Sequence, residues 1–210
     1  MTKLSKLYLA GLLSLLCSCT TRYNGIDISH HNDVEWSSIP GNVEFCYIKA
    51  TEGKSYVDPM YKQHSVNAKS KGIKVGFYHY YRTSVPALQQ FKNFRGVISS
   101  QTYDLIPVID IEDNGNSYKN LEWEKDNIKE LCDLFKSEYG YYPIVYYGEV
   151  FDSARKTIGT VKGLKIWNRT MYNPFSFIKN AVITQKAIKK FGQCEIDVNY
   201  CPDLSEIVSK

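Results

Sequence analysis

Histidine is scarce in this chain, with 4 in 210 residues, and no CxxC pair or matching histidine spacing follows the N-terminal region. A structural zinc site therefore has nothing to be built from. An excess of charge of one sign is missing too: 26 lysines and arginines face 22 aspartates and glutamates, a net +4. Loss of the first 18 residues would remove Lys3 and Lys6 and no acid, leaving 24 basic against 22 acidic groups. That balance excludes the electrostatic footprint of a nucleic-acid binder and tolerates a polyanionic polymer. Long apolar runs are also absent except for one at residues 7–16, too short to span a bilayer. No internal repeat, low-complexity stretch or linker divides the rest, so residues 24–210 are expected to form one domain.

The apolar run follows Lys3 and Lys6 and ends in Leu16-Cys17-Ser18-Cys19, the pattern of a secretory signal. Leu three before a cysteine and a small residue just before it resemble a bacterial lipobox. The resemblance implies a signal peptide over 1–18, a lipid on Cys19 and a tether over 19–23. The chain is then a membrane-anchored lipoprotein of the cell envelope, on the outer membrane or the periplasmic face; plain secretion is the alternative. Cys46, Cys132, Cys194 and Cys201 remain for an oxidising compartment that permits bridges. Cys194 and Cys201 flank one short segment and are the first pair expected.

Tyrosine, by contrast, is abundant, with 17 copies. Its flat apolar face and polar tip suit packing and sugar stacking alike. Short β-like runs at 24–29, 44–50, 74–80, 105–112, 143–147, 164–167, 181–185 and 195–199 alternate with helix-like stretches. Asp58-Pro59 opens a helix that Gly72 closes; Pro86 opens another, to residue 99; residues 120–138 end at Gly140; a shorter helix covers 149–158. Strand–helix alternation predicts a parallel sheet, and eight strands predict its closure into a small β/α barrel with helices missing from its second half.

In such a barrel the C-terminal strand ends build the site. The fourth strand ends Val108-Ile109-Asp110-Ile111-Glu112, which puts Asp110 and Glu112 on one face, about 6.6 Å apart along the strand. Like charges this close push one pKa up, as a general acid requires. Asp27 lies between two isoleucines on the first strand and Asp197 between Ile196 and Val198 on the eighth, its neighbour in a closed barrel. Four inward acids at one mouth fit either a divalent-metal site or a sugar-cleaving site.

Taken in order, Gly25-Ile26-Asp27-Ile28-Ser29, Tyr47-Ile48-Lys49-Ala50-Thr51-Glu52-Gly53, Gly76-Phe77-Tyr78-His79-Tyr80, Pro107-Val108-Ile109-Asp110-Ile111-Glu112, Tyr146-Tyr147-Gly148, Trp167, Gln185 and Ile196-Asp197-Val198-Asn199 resemble glycoside hydrolase family 25 lysozymes. The resemblance covers nearly the whole chain after the signal. It implies a flattened barrel of five βα units followed by three strands. It implies hydrolysis of the β-1,4 bond between N-acetylmuramic acid and N-acetylglucosamine, without cofactor or metal, by a monomer acting on peptidoglycan. Glu112 matches the catalytic acid/base, and Asp110 the residue that orients the 2-acetamido group in a retaining, substrate-assisted route. Asp27 and Asp197 match the other cleft acids. Glu52, His79, Tyr78, Tyr147, Trp167 and Gln185 are the further substrate-binding candidates, each with packing as the alternative; Lys49 pairs with a cleft acid or caps its strand. His30 and His31 are adjacent and diverge if that stretch is extended, which disfavours a metal. The chain departs from the family at Thr184, where Trp is usual, and at Asn168-Arg169-Thr170, where small apolar residues are common.

Three other readings use the same acids. A binding module on this fold would hold glycan without cutting it. A family 18 chitinase-like enzyme needs an Asp where Val108 stands. A metal-dependent esterase would be sensitive to chelators.

Overall fold

The computed structural model describes residues 22–147, 163–170 and 181–209. The signal region, Cys19 and the helix expected at 149–158 lie outside them. Nine strands form one sheet: β1 (Gly25–Ile28), β2 (Phe45–Glu52), β3 (Tyr56–Val57), β4 (Lys74–Tyr80), β5 (Val108–Ile111), β6 (Ile144–Tyr147), β7 (Lys165–Arg169), β8 (Ala181–Phe191) and β9 (Cys194–Tyr200). All strands but the two-residue β3 make a closed barrel in the order β1-β9-β8-β7-β6-β5-β4-β2, shut by pairing of β1 with β2. The eight expected strands are these eight. Their direction departs from the all-parallel expectation at one place, since β9 runs antiparallel to both β8 and β1. The reason is local: β8 and β9 are joined by a tight turn at Gly192, whose φ of 60° only glycine adopts readily. A hairpin can only be antiparallel.

Among the described residues three α-helices cover the outside: α1 (Tyr61–Ser70), α2 (Ala87–Ile98) and α3 (Leu121–Tyr139). The connection between β1 and β2 holds only a 3-10 turn, Trp36–Ser38, in place of a helix. In α3 the signals act as written. Asn120 accepts a hydrogen bond from the Trp123 amide at 3.2 Å, Glu122 and Glu124 sit in the first turn, and Gly140 ends the helix at φ 81°. Its buried stripe of Ile128, Leu131, Cys132 and Phe135 belongs to the core between helices and barrel, with Phe135 against Phe91 and Phe94 of α2. Asp58 begins α1 from a distance, its Oδ1 accepting from the Met60 amide at 2.9 Å, so the helix proper starts three residues after it.

Two apolar layers follow from strand alternation. Ile26, Cys46, Ile48, Phe77, Ile109, Ile111 and Val145 face the helices. Phe45, Tyr47, Val108, Ile144, Trp167 and Ile183 fill the barrel interior. Two inward glycines make the room: a Cβ on Gly25 would stand 2.1 Å from the Phe45 ring, and one on Gly76 2.4 Å from the Tyr47 ring. These rings plug the lower barrel, leaving the upper end open.

The four cysteines of the domain are free thiols, which overturns the expected 194–201 bridge. Cys194 opens β9 and Cys201 follows its end, so seven extended residues hold them about 23 Å apart.

Candidate active site

The open end of the barrel is a cleft of about 360 Å³. Asp27 enters it from β1, Asp110 and Glu112 from the end of β5, and Asp197 from β9. The antiparallel register sets Asp27 directly opposite Asp197. Around these acids stand Lys49 and Glu52 of β2, Tyr78 and Tyr80 of β4, Tyr146 of β6, Trp167 and Arg169 of β7, Gln185 of β8, and Arg82.

Every one of the four acids is held above its ordinary pKa, with burial the largest cause in each. Asp27 is also pushed up by Asp197, against hydrogen bonds to its Oδ2 from Asn199 Nδ2 at 2.7 Å and Gln185 Nε2 at 3.3 Å. For Asp110 the second cause is the charge of Glu112, opposed by Lys49. Glu112 is pulled back by Arg169, then Lys49, and by the hydroxyls of Tyr80 and Tyr146, yet stays raised. Asp197 is pushed up to about 6 by burial against the pull of Arg169.

The supporting hydrogen bonds fix how these groups point. Trp167 Nε1 donates to Asn199 Oδ1 at 3.1 Å, and Tyr146 donates to Gln185 Oε1 at 2.9 Å. Both amides thus turn their NH2 groups toward Asp27. The Tyr80 hydroxyl donates to the Asn114 carbonyl at 2.9 Å. Each tyrosine has a single hydroxyl proton, so Tyr80 and Tyr146 divide it between Glu112 and a neutral oxygen. Asp110 Oδ1 is buried and meets no hydrogen-bond donor among the described residues. An acceptor left open at a cleft wall is a place for a donor on a bound molecule.

Glu52 is occupied differently. Its carboxylate meets Lys49 Nζ at 2.6 Å and Arg82 Nε at 2.7 Å. Burial raises its pKa, and the two cations together more than reverse that. The Tyr80 ring lies under both cations, 4.6 Å from Lys49 Nζ and 4.9 Å from the Arg82 guanidinium carbon. Glu52 therefore organises the positive side of the cleft.

Of the sequence candidates, Asp27, Glu52, Tyr78, Asp110, Glu112, Trp167, Gln185 and Asp197 line this one cleft. Two do not, and both are corrections. His79 points outward from β4, where it bonds Thr51 Oγ1 at 2.7 Å and Gln90 Oε1 at 3.1 Å and packs on Phe94. Burial lowers its pKa to about 4, so it is a neutral core residue. Tyr147 also faces the helix layer, and Tyr146 is the cleft residue of that pair. The period of two that placed Asp110 and Glu112 together gives the same answer for both strands: Tyr78 and Tyr80 inward with His79 outward, and Tyr146 inward with Tyr147 outward. His30 and His31 do not diverge; they sit in a turn with ring centroids 3.8 Å apart. No His/Cys/Asp/Glu cluster able to hold a metal occurs among the described residues.

A small closed β/α barrel with an acid-lined cleft at the upper strand ends is the class of protein that this fold and site define. Within that class the chain belongs to the glycosyl hydrolases family 25, whose family model matches residues 26–186. It is 34% identical to the autolytic lysozyme of Clostridium acetobutylicum over 147 residues, 68% of this chain and 43% of that protein. It is 29% identical to the uncharacterized protein YegX of Escherichia coli K12 over 136 residues, 61% of this chain and 49% of that protein. The chain thus spans about half the length of the curated relatives it matches. Among solved structures, a lysozyme from Streptomyces coelicolor superposes with a TM-score of 0.75 at 24% identity, over 88% of this chain and 94% of that one. A muramidase from Acremonium alcalophilum gives 0.76 at 19% identity, over 88% and 96%. At these identities the likeness is one of fold.

Proposed function

We propose that the protein is an N-acetylmuramidase that hydrolyses the β-1,4 bond between N-acetylmuramic acid and N-acetylglucosamine in peptidoglycan. The observation that carries this reading is the pairing of Glu112, a buried carboxyl with a raised pKa, with Asp110, whose Oδ1 is an open buried acceptor on the same strand end. Protonated Glu112 donates its proton to the glycosidic oxygen as the C1–O bond breaks. The carbonyl oxygen of the substrate's own 2-acetamido group bonds to C1, and Asp110 Oδ1 accepts the acetamido N–H, drawing charge toward that oxygen. Ionised Glu112 then takes a proton from water as the water oxygen bonds to C1 and the acetamido oxygen leaves. The anomeric configuration is retained without an enzyme nucleophile, an exception to the usual two-carboxylate scheme.

Asp27 and Asp197 accept from sugar hydroxyls, while burial favours the protonated form of Glu112 against the pull of Arg169 and Lys49. Tyr78 lines the cleft with its ring and Gln185 with a polar edge, and Trp167 forms the cleft's floor and holds Asn199. Glu52 acts through Lys49 and Arg82, which it holds in place. The chain works at the cell envelope, tethered through Cys19 after removal of residues 1–18, or secreted. The family assignment and the lysozyme relative support this substrate.

The deciding experiment treats purified peptidoglycan with the soluble domain and with a Glu112→Gln control, and analyses the released muropeptides. Fragments ending in reducing N-acetylmuramic acid from the wild type alone support the reading. Tight binding of the same wall without release of fragments by either protein would replace it with a glycan-binding module.

A further inference from the structure

We propose that Tyr56, His30 and His31 form an outer ledge that binds a glycan chain beyond the cleft, so that longer chains are held better than short ones. The inference rests on the glycan-binding part of the function proposed above and names a site that starts at His31 on the cleft's edge and runs outward from it.

A cleft of about 360 Å³ lies at the small end of ligand sites, roughly 300–1,000 Å³, whereas a glycan strand is a polymer. The strand must leave over a rim, and one rim is built for it. In the β2–β3 hairpin Tyr56 pairs with Glu52, so the two side chains share a face, and Glu52 lines the cleft. Tyr56 is 40% exposed. Its ring stands 5.9 Å from that of His30, which in turn stands 3.8 Å from that of His31, a cleft-lining residue. Lys49 Nζ lies 5.6 Å from the Tyr56 ring and 4.6 Å from the Tyr80 ring, joining ledge to cleft.

The ledge is held rigid from below. Asp58 is completely buried. Its Oδ2 accepts from the His30 amide at 3.0 Å and faces His30 Nδ1 at 2.7 Å. Burying a carboxylate is costly unless its hydrogen bonds are made, and here the partner is the ring of a part-exposed histidine. On the other side Asn93 Nδ2 donates to the carbonyls of Gly53 and Tyr56, each at 3.0 Å. Exposed rings fixed in this way lose little freedom when a sugar ring stacks on them. Pyranose rings present apolar C–H faces with polar edges, which match a tyrosine face bordered by imidazole donors and acceptors.

The test measures affinity for chito-oligosaccharides from the disaccharide to the hexasaccharide by calorimetry, in the full chain carrying Glu112→Gln so that nothing is cut. The hexasaccharide should bind about fivefold more tightly than the disaccharide. Adding Tyr56→Ala should abolish that increment and leave the disaccharide unchanged, while Tyr56→Phe should keep most of it. An increment that survives Tyr56→Ala, or no increment at all, overturns the ledge. The two readings fail separately. Peptidoglycan cut by the wild type without a length increment removes the ledge and keeps the muramidase. An increment lost in Tyr56→Ala, with no cleavage by the wild type, keeps the ledge and removes the hydrolase.

Discussion

Asp27 and Asp197 stand opposite one another on β1 and β9, two carboxylates placed face to face by backbone register. The arrangement costs stability whenever both are ionised. Burial and their mutual repulsion raise Asp27 well above its ordinary value, and Asp197 is pushed up to about 6. An acid whose folded pKa exceeds its unfolded one stabilises the fold fully below the unfolded pKa and loses that contribution as pH rises through the folded pKa. For Asp197 the window runs from the ordinary aspartate range to about 6. Asp197→Asn should therefore raise the melting temperature by at least about 2 °C at pH near 7.5 and leave it unchanged at pH near 3.5. Thermal unfolding at the two pH values checks this, and equal shifts at both would contradict the electrostatic account.

Glu112→Gln should reduce kcat by about 10²- to 10⁴-fold, the usual worth of a general acid, with the fold intact by circular dichroism. A fall of less than about tenfold would take the proton-transfer role away from this residue.

Arg169 should set the upper pH limb of the proposed activity. Its charge is the largest influence holding Glu112 down against burial. With Arg169→Gln the Glu112 pKa rises further, the acid stays protonated to higher pH, and the alkaline limb of kcat/KM moves upward. A limb that stays in place or moves down would contradict this.

His79→Ala should act on stability alone. It removes the ring that joins Thr51 to Gln90 and leaves the buried Thr51 Oγ1 without that partner, while Gln90 Oε1 keeps the Arg82 amide at 2.9 Å, a loss of about 1–3 kcal/mol. Chemical denaturation should show that loss, while kcat below the unfolding transition stays within about twofold of wild type. A large fall in kcat would return His79 to the site.

Asn116 should act on kcat. Its Nδ2 donates to the Glu112 carbonyl at 2.8 Å and the Tyr81 carbonyl at 2.9 Å, while its Oδ1 accepts from the Thr83 amide at 2.9 Å. The Tyr118 hydroxyl donates to the same Glu112 carbonyl at 3.1 Å. Asn116→Ala should lower kcat about tenfold with KM nearly unchanged, because misplacement of the acid weakens the transition state more than the bound ground state. A change confined to KM would contradict a positioning role.

What was legible in the sequence was what alternation and turn chemistry write locally. Val108-Ile109-Asp110-Ile111-Glu112 shows an inward acid pair because the side-chain period of a strand is two, and Asn120 with Gly140 brackets α3 because caps are local. The direction of β9 was not legible as read, because it depends on a turn at Gly192 that joins two runs first taken as separate. Residue type makes His79 and Tyr147 look like cleft residues, but the register of β4 and β6 against β5 turns both to the outer face. The role of Glu52 as a clamp required Arg82, 30 positions away, and no pattern in either segment announces that pairing.

The barrel is shut by β9 lying between β1 and β8, and the amides that orient Asp27 come from Gln185 and Asn199. The first strand therefore waits for the last. Without β9, Asp110 and Glu112 would still share the end of β5, but Asp27 would lack both Asp197 opposite it and the Asn199 amide. The acid cluster of the cleft is complete only with the final strand in place, since Asp197 and Asn199 both lie on it.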